Sequence, residues 1–211
     1  VEGIVGIEWW DVKIEGFANH AGTTPMKGRR DAVLAGAKFA LAVNEIVNGY
    51  QGSQVATVGR FNASPGAPNV IPGEADLSLE IRDLSKEKIW KIFRDIEKRA
   101  EIISKETDTS ITFEYIDVAA VPALTDERIK TIIGNSAKSL GLTFKRMPSG
   151  AVHDAQDIAQ IAPIGMIFVP SKGGISHSPR EFTSGEYMSN GANVLLRTVL
   201  AIDKASLIAS P

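Results

Sequence analysis

The chain has 211 residues, 44% of them hydrophobic, and a formal net charge of −2. That is enough for one large domain or two small ones, and it gives no reason to expect nucleic acid or a membrane as partner. There is no cysteine, which excludes disulfides, thiol nucleophiles and cysteine metal sites.

The opening Val1-Glu2-Gly3-Ile4-Val5-Gly6-Ile7 has no initiator methionine and no basic start. It reads as a strand already under way, not a signal peptide, so the chain is expected to begin mid-domain. No apolar run is long enough to span a bilayer. Trp10, Val12 and Ile14 then share one parity against Asp11, Lys13 and Glu15, the pattern of a half-buried strand. An alanine-rich helix is expected over residues 31–47, ended by Asn48-Gly49. A second strand covers 54–61, and 62–73 reads as a loop rich in proline and glycine. Ala75, Leu77, Leu79 and Ile81 alternate with Asp76, Ser78, Glu80 and Arg82 as a third strand. Ser85 can cap a long helix whose apolar stripe is Ile89, Phe93, Ile96, Ala100 and Ile103. Ile111, Phe113 and Tyr115 mark a fourth strand.

The order strand, helix, strand, strand, helix, strand is the split βαβ pattern of a ferredoxin-like α/β sandwich. After Val121-Pro122 the pattern changes. Helices are expected over 126–140, 155–161 and 184–205, with a short strand at 143–147. The apolar run 164–169 reads as a strand buried on both faces. This part looks like the tail of a second α/β domain, too short to form that domain alone.

The three histidines all fall in loops built from turn residues. His20 lies in Asn19-His20-Ala21-Gly22-Thr23-Thr24-Pro25-Met26. Such a turn can present an imidazole and amide donors to a developing oxyanion; equally, it can be a helix-entry loop capped by Thr24. His177, in Gly173-Gly174-Ile175-Ser176-His177-Ser178-Pro179, is the best metal-ligand candidate. Its other reading is a loop histidine satisfied by backbone hydrogen bonds. His153-Asp154 is either a ligand-shell pair or a helix start with Asp154 as N-cap. Arg82, on the polar parity of its strand, offers a fork for a carboxylate, and Asn69 in the preceding loop can orient the same group. Arg82 can instead pair with Glu80 or Asp83. Arg29-Arg30 reads as solvated.

Together these loops resemble the metal-dependent amidohydrolases of the M20 peptidase class. The specific branch is that of N-carbamoyl-L-amino-acid hydrolases, allantoate amidohydrolases and β-alanine synthases. The motifs that carry the resemblance run the length of the chain. They are the His20 stretch with Arg30-Asp31-Ala32, Pro68-Asn69-Val70-Ile71-Pro72-Gly73, Ile81-Arg82-Asp83, Pro148-Ser149-Gly150-Ala151, His153-Asp154-Ala155 and the His177 stretch.

The resemblance implies an α/β catalytic domain interrupted by a lid. Residues 1–8 would end a catalytic-domain strand, 9–118 would form the ferredoxin-like lid and dimerisation domain, and 119–211 would be the C-terminal part of the M20-type catalytic domain. It further implies two divalent metal ions, zinc or manganese, in the complete enzyme, with His177 the last metal ligand. His20 would stabilise the oxyanion, and Asn69 and Arg82 would hold the substrate carboxylate. All three would reach from the lid into the site of a partner in a homodimer. A metal-bridging water activated by a glutamate would attack the ureido or amide carbonyl. The remaining metal ligands and that glutamate would lie upstream of residue 1, so the fragment alone is expected to hold no metal and to be inactive.

Val152 stands where the family has glycine, close to substrate, so its branched side chain is expected to bear on substrate fit. The expected substrate is a small carbamoyl or ureido acid and the expected location the cytoplasm. The alternatives are a non-catalytic dimerisation or binding module, and an M20 aminoacylase or dipeptidase.

Overall fold

In the computed structural model, residues 1–205 are described, so positions 206–211 of the expected C-terminal segment lie outside the described residues. The chain forms two units: Val5–Pro122, and Val1–Ile4 together with the chain from Ala123 onward. In chain order the strands and helices are β1 (Gly3–Ile4), β2 (Gly6–Glu15), β3 (Asn19–His20), α1 (Ala32–Asn48), β4 (Val55–Ser64), β5 (Val70–Ile71), β6 (Glu74–Asp83), α2 (Lys86–Thr107), β7 (Ser110–Ile116), β8 (Ala123–Leu124), α3 (Glu127–Ser139), α4 (Ala155–Ile158) and α5 (Gly185–Lys204).

The Val5–Pro122 unit is a ferredoxin-like sandwich. Its sheet runs β4-β6-β2-β7 with every pair antiparallel. The third strand in sequence therefore lies between the first two, which is what splits each βαβ unit. The alternation fixes the register: Trp10, Val12 and Ile14 stand opposite Leu79, Leu77 and Ala75, and all six are buried. α1 and α2 cover that face, adding Phe39, Val43, Ile89, Ile92, Ile96 and Ile103 to the core. Trp10 stacks on Phe93 at 4.2 Å and 4° and meets Trp90 edge-on at 5.4 Å. A one-residue slip of β2 would turn this whole set to solvent.

The helices begin where their caps place them. The Asp31 carboxylate accepts from the Val33 and Leu34 amides at 2.9 and 3.1 Å. Ser85 Oγ accepts from the Lys88 amide at 3.2 Å. Asp31→Ala should therefore lower stability by about 1 kcal/mol, read as a lower urea midpoint at unchanged slope. β4 runs on to Ser64 and β5 forms at Val70–Ile71, so the expected 62–73 loop is shorter than its prolines suggest. A register shift between Val58 and Phe61 lets the strand continue.

The other unit is sparser. β1 pairs with β8, and Ile4 bridges Ser149 in parallel. Ile4, Ala123 and Ile164 form a small core against Ala155, Ala159 and Met166. The expected strands at 143–147 and 164–169 do not form. A strand exists only through consecutive bonds to a neighbour. Here Met147 O accepts from Glu2 N, while Ile164 O and Met166 O accept from Asp126 and the Val1 amino group. These are isolated points, not a ladder. Nor is 164–169 buried on both faces: Ile164 is buried, but Phe168 and Val169 are exposed. The helix expected over 155–161 ends at Ile158 and continues as turn.

Candidate functional site

The His20 loop hangs from a two-stranded ribbon. β3 and β5 pair antiparallel, with His20 opposite Val70, and the Ala21 amide donates to the Asn69 carbonyl at 2.9 Å. This brings His20 and Asn69 to one exposed edge. The chain then turns back on the imidazole. The amides of Gly22 and Thr23 both donate to His20 Nδ1, at 3.0 and 3.1 Å. Thr24 Oγ1 donates to the His20 carbonyl at 2.7 Å and closes the turn; it caps no helix, since α1 starts at Ala32 with Asp31 as its cap. A Cβ on Gly22 would lie 3.2 Å from the ring's Cε1, so glycine is what allows so close an approach. With Nδ1 accepting two hydrogen bonds, the hydrogen of the neutral ring resides on Nε2. The loop thus fixes a tautomer and exposes one N–H donor, the element an oxyanion site needs.

Arg29 is not the solvated residue its charge suggests. Its Nη2 donates to the carbonyls of Ala21 and Thr24, both at 2.7 Å, and its Nε to that of Pro25 at 3.3 Å. A guanidinium needs acceptors, and a turn that spends its amides on a histidine leaves carbonyls to supply them. Arg30 points elsewhere, to the Asp108 carbonyl at 2.7 Å.

Arg82 lies apart from this pair. It is near the far end of the ten-residue β6, opposite Ile7 and Val55, while the His20 ribbon joins the other end. At ~3.4 Å per residue the strand from Glu74 to Arg82 spans roughly 27 Å. The half-buried Arg82 grips Glu80 fork to fork, Nε to Oε1 at 2.7 Å and Nη2 to Oε2 at 3.0 Å. Trp9 Nε1 donates to the same carboxylate at 2.6 Å. Burial would raise the Glu80 carboxyl, but the bonds from Arg82 and Trp9 outweigh it and hold the group below the usual carboxylate range. The arginine is thus presented as one half of an ion pair.

In the other unit, Gly173 and Gly174 adopt φ of 67° and 69°, and His177 itself sits at 55°. That left-handed value is rare without glycine and marks a constrained loop. The His177 amide donates to Glu181 Oε2 at 2.8 Å and its side chain is exposed. His153 Nε2 meets the buried Ser149 Oγ at 3.1 Å, whose own hydrogen goes to the Ala151 carbonyl at 2.8 Å; Nε2 is therefore the donor. Asp154 makes no side-chain cap. It is already helical, and Gln156 Oε1 accepts the His153 amide in its place at 3.1 Å. Val152 is exposed.

Among the described residues no group of three or more His, Asp or Glu is placed to hold a metal ion. Catalytic zinc takes three protein donors, so His177 is one donor at most and these residues by themselves do not fit a metal. Sequence reading missed Arg29 and the buried Ser149. The first is signalled only by its spacing after the turn, and the second by a small polar residue among glycine and alanine.

A family profile described as peptidase family M20/M25/M40 matches residues 9–201. The N-carbamoyl-L-amino acid amidohydrolase of Geobacillus stearothermophilus is 41% identical over 199 residues, 94% of this chain and 48% of that protein. The allantoate amidohydrolase of Bacillus subtilis is 34% identical over 92% of this chain and 47% of its own length. Among solved structures, an amidase of the hydantoinase/carbamoylase family from Burkholderia multivorans superposes with a TM-score of 0.90 at 31% identity. It covers 95% of this chain and 48% of that one. The chain spans about half the length of the curated relatives it matches.

Proposed function

Because the chain belongs to peptidase family M20/M25/M40, we propose that it is the C-terminal half of a metal-dependent amidohydrolase. The reaction is hydrolysis of a linear C–N amide or ureido bond in N-carbamoyl-L-amino acids or ureido acids such as allantoate, with release of ammonia and carbon dioxide. The observation that carries this reading is the His20 loop. Two backbone amides occupy Nδ1, so Nε2–H is left to donate to a carbonyl oxygen as negative charge develops on it. Asn69 and Arg82 hold the substrate carboxylate, and Val152 lines the substrate pocket.

The complete protein holds two divalent ions, zinc or manganese, and His177 contributes one donor; the others come from sequence outside these residues. The surface of α5 supports a larger whole. Leu195, Leu196, Val199 and Leu200 are all more than half exposed, more apolar surface than a finished domain leaves uncovered.

The partner is a second copy, docked through the Val5–Pro122 unit. Leu34 and Leu41 make an exposed apolar stripe on α1. Beside it runs β4, an outer strand of the sheet, with Val55 and Phe61 exposed. A long outer strand flanked by an apolar helix face is a pairing surface. Asn69 lies next to the β3–β5 ribbon at one end of β6 and Arg82 near its other end, which supports a site that draws on two copies. No helix among the described residues is long and apolar enough to cross a membrane, and the cytoplasm is the proposed location.

The test is to express the reading frame with its upstream sequence, load it with manganese or zinc, and measure ammonia release from N-carbamoyl amino acids and allantoate. Metal-dependent turnover of one of them is expected; none on any would sink the reading. A second reading, a non-catalytic module, is favoured by the absence of a three-donor group among the described residues. It requires that the complete protein turn over none of these substrates.

A further inference from the structure

We propose that Arg29 is the positioning residue of the His20 loop, setting which imidazole nitrogen carries the hydrogen. This rests on the reading of His20 as the oxyanion donor. The argument starts from the planarity of the peptide unit. In a trans peptide the C=O of one residue and the N–H of the next point in opposite directions. The Ala21 carbonyl and the Gly22 amide are two ends of one such plane. Arg29 Nη2 holds the Ala21 carbonyl at 2.7 Å, and the Gly22 amide on the opposite edge meets His20 Nδ1 at 3.0 Å. To fix one end of the plane is to aim the other.

The same Nη2 holds the Thr24 carbonyl at 2.7 Å, so a single nitrogen ties the two ends of the turn together. Thr23, between them, supplies the second amide to Nδ1 at 3.1 Å. Without this tie the Ala21–Gly22 plane is free to rotate, the amides leave Nδ1, and the ring hydrogen distributes over both nitrogens. A ring protonated at Nδ1 has no Nε2–H to offer.

Arg29 makes three hydrogen bonds, all to main-chain carbonyls. Its charge is directed at main-chain carbonyls under the loop. Lysine cannot replace it fully, because an ammonium lacks the planar fork that spans several acceptors in fixed geometry.

The experiment has two arms. Nitrogen-15 NMR of the imidazoles is recorded on the 211-residue chain, whose three histidines are assigned by single His→Gln substitutions. The wild type should show His20 with hydrogen on Nε2 alone. Arg29→Met should show averaged tautomers at His20 and unchanged signals at His153 and His177. Arg29→Lys should fall between, and it carries the test if Arg29→Met does not fold.

In the complete enzyme, Arg29→Met should lower kcat about tenfold or more at little change in KM. It should add almost nothing once His20 is alanine, since two residues acting through one contact are not additive. A merely structural arginine would instead cost the same factor in both backgrounds, and that result overturns the proposal. So does an unchanged His20 tautomer in Arg29→Met, whatever the assay gives. An averaged tautomer with kcat indifferent to both His20→Ala and Arg29→Met supports the positioning contact and overturns the oxyanion reading of His20 instead.

Discussion

His20→Ala in the complete protein should lower kcat by about 10²–10³-fold while leaving KM within a few-fold of the parent. A hydrogen bond to an oxygen that gains charge only in the transition state contributes little to ground-state binding, so its loss appears in kcat. Arg82→Ala should behave in the opposite sense. A carboxylate whose charge does not change in the reaction is bound about equally in both states, and its loss appears first in KM. Both differences are read from initial rates on the substrate that the assay identifies.

The stronger form of this prediction uses the geometry of the sheet. His20 lies on the β3–β5 ribbon next to one end of β6 and Arg82 lies near the other end, so a site using both is expected to take them from different copies. When the two variants are unfolded, mixed, refolded together and assayed at substrate well below the parental KM, where both are impaired, half the dimers carry one defect on each chain. In such a dimer one site receives both lesions and the other receives neither. Random pairing should therefore restore about one quarter of the parental activity. If both residues came from a single copy, every site would carry a lesion and the mixture would stay as inactive as its parents. That outcome would remove the two-copy site.

The ferredoxin-like unit was legible because each of its elements contains its own signal. Trp10, Val12 and Ile14 alternate, and so do Leu77, Leu79 and Ile81. Ser85 stands where a cap belongs, and the structure uses it; Asp31, expected as the first helical residue, is the cap of α1. The runs 143–147 and 164–169 were not legible, because a strand is a relation between two segments and apolar residues announce only one of them.

The site divides in the same way. Loop placement of His20 can be read from Gly22, Thr24 and Pro25. That two amides converge on its Nδ1 cannot, since those amides carry no side-chain identity. The Arg82–Glu80 pair follows from residues two apart sharing a strand face, and the structure contains it. The distance from Arg82 to His20 depends on how β6 is traversed, and Arg29 reads as surface charge because its partners are carbonyls, which every residue has.

Gly16→Ala should be the costliest single methyl in the Val5–Pro122 unit, and it should act on the site without touching it. A Cβ built on Gly16 falls 2.0 Å from the Arg30 carbonyl oxygen and 2.9 Å from its carbon. The obstacle is backbone, so no side-chain rotation relieves it. Nor is that backbone free to retreat: the Arg30 carbonyl accepts from the Phe17 amide at 2.8 Å, the Gly16 amide donates to Gly73 at 2.8 Å, and the Ala32 amide to Pro72 at 3.1 Å. Three segments meet here: the end of β2, the entry to α1 and the entry to β6. The His20 ribbon leaves from the same junction.

Inserting a methyl into such contacts costs about 1–3 kcal/mol where neighbours can adjust, and the upper part of that range is expected. It should appear as a fall in the unfolding midpoint. Because the displaced strand end carries β3, kcat should fall further than the residual folded fraction explains. Gly59→Ala is the control in the same unit, with its nearest neighbour, Ser78 Oγ, at 3.5 Å. It should leave both stability and kcat near the parent. A Gly16→Ala protein as stable as Gly59→Ala would mean that the junction yields, and that the ribbon presenting His20 is not held by the packing at Gly16.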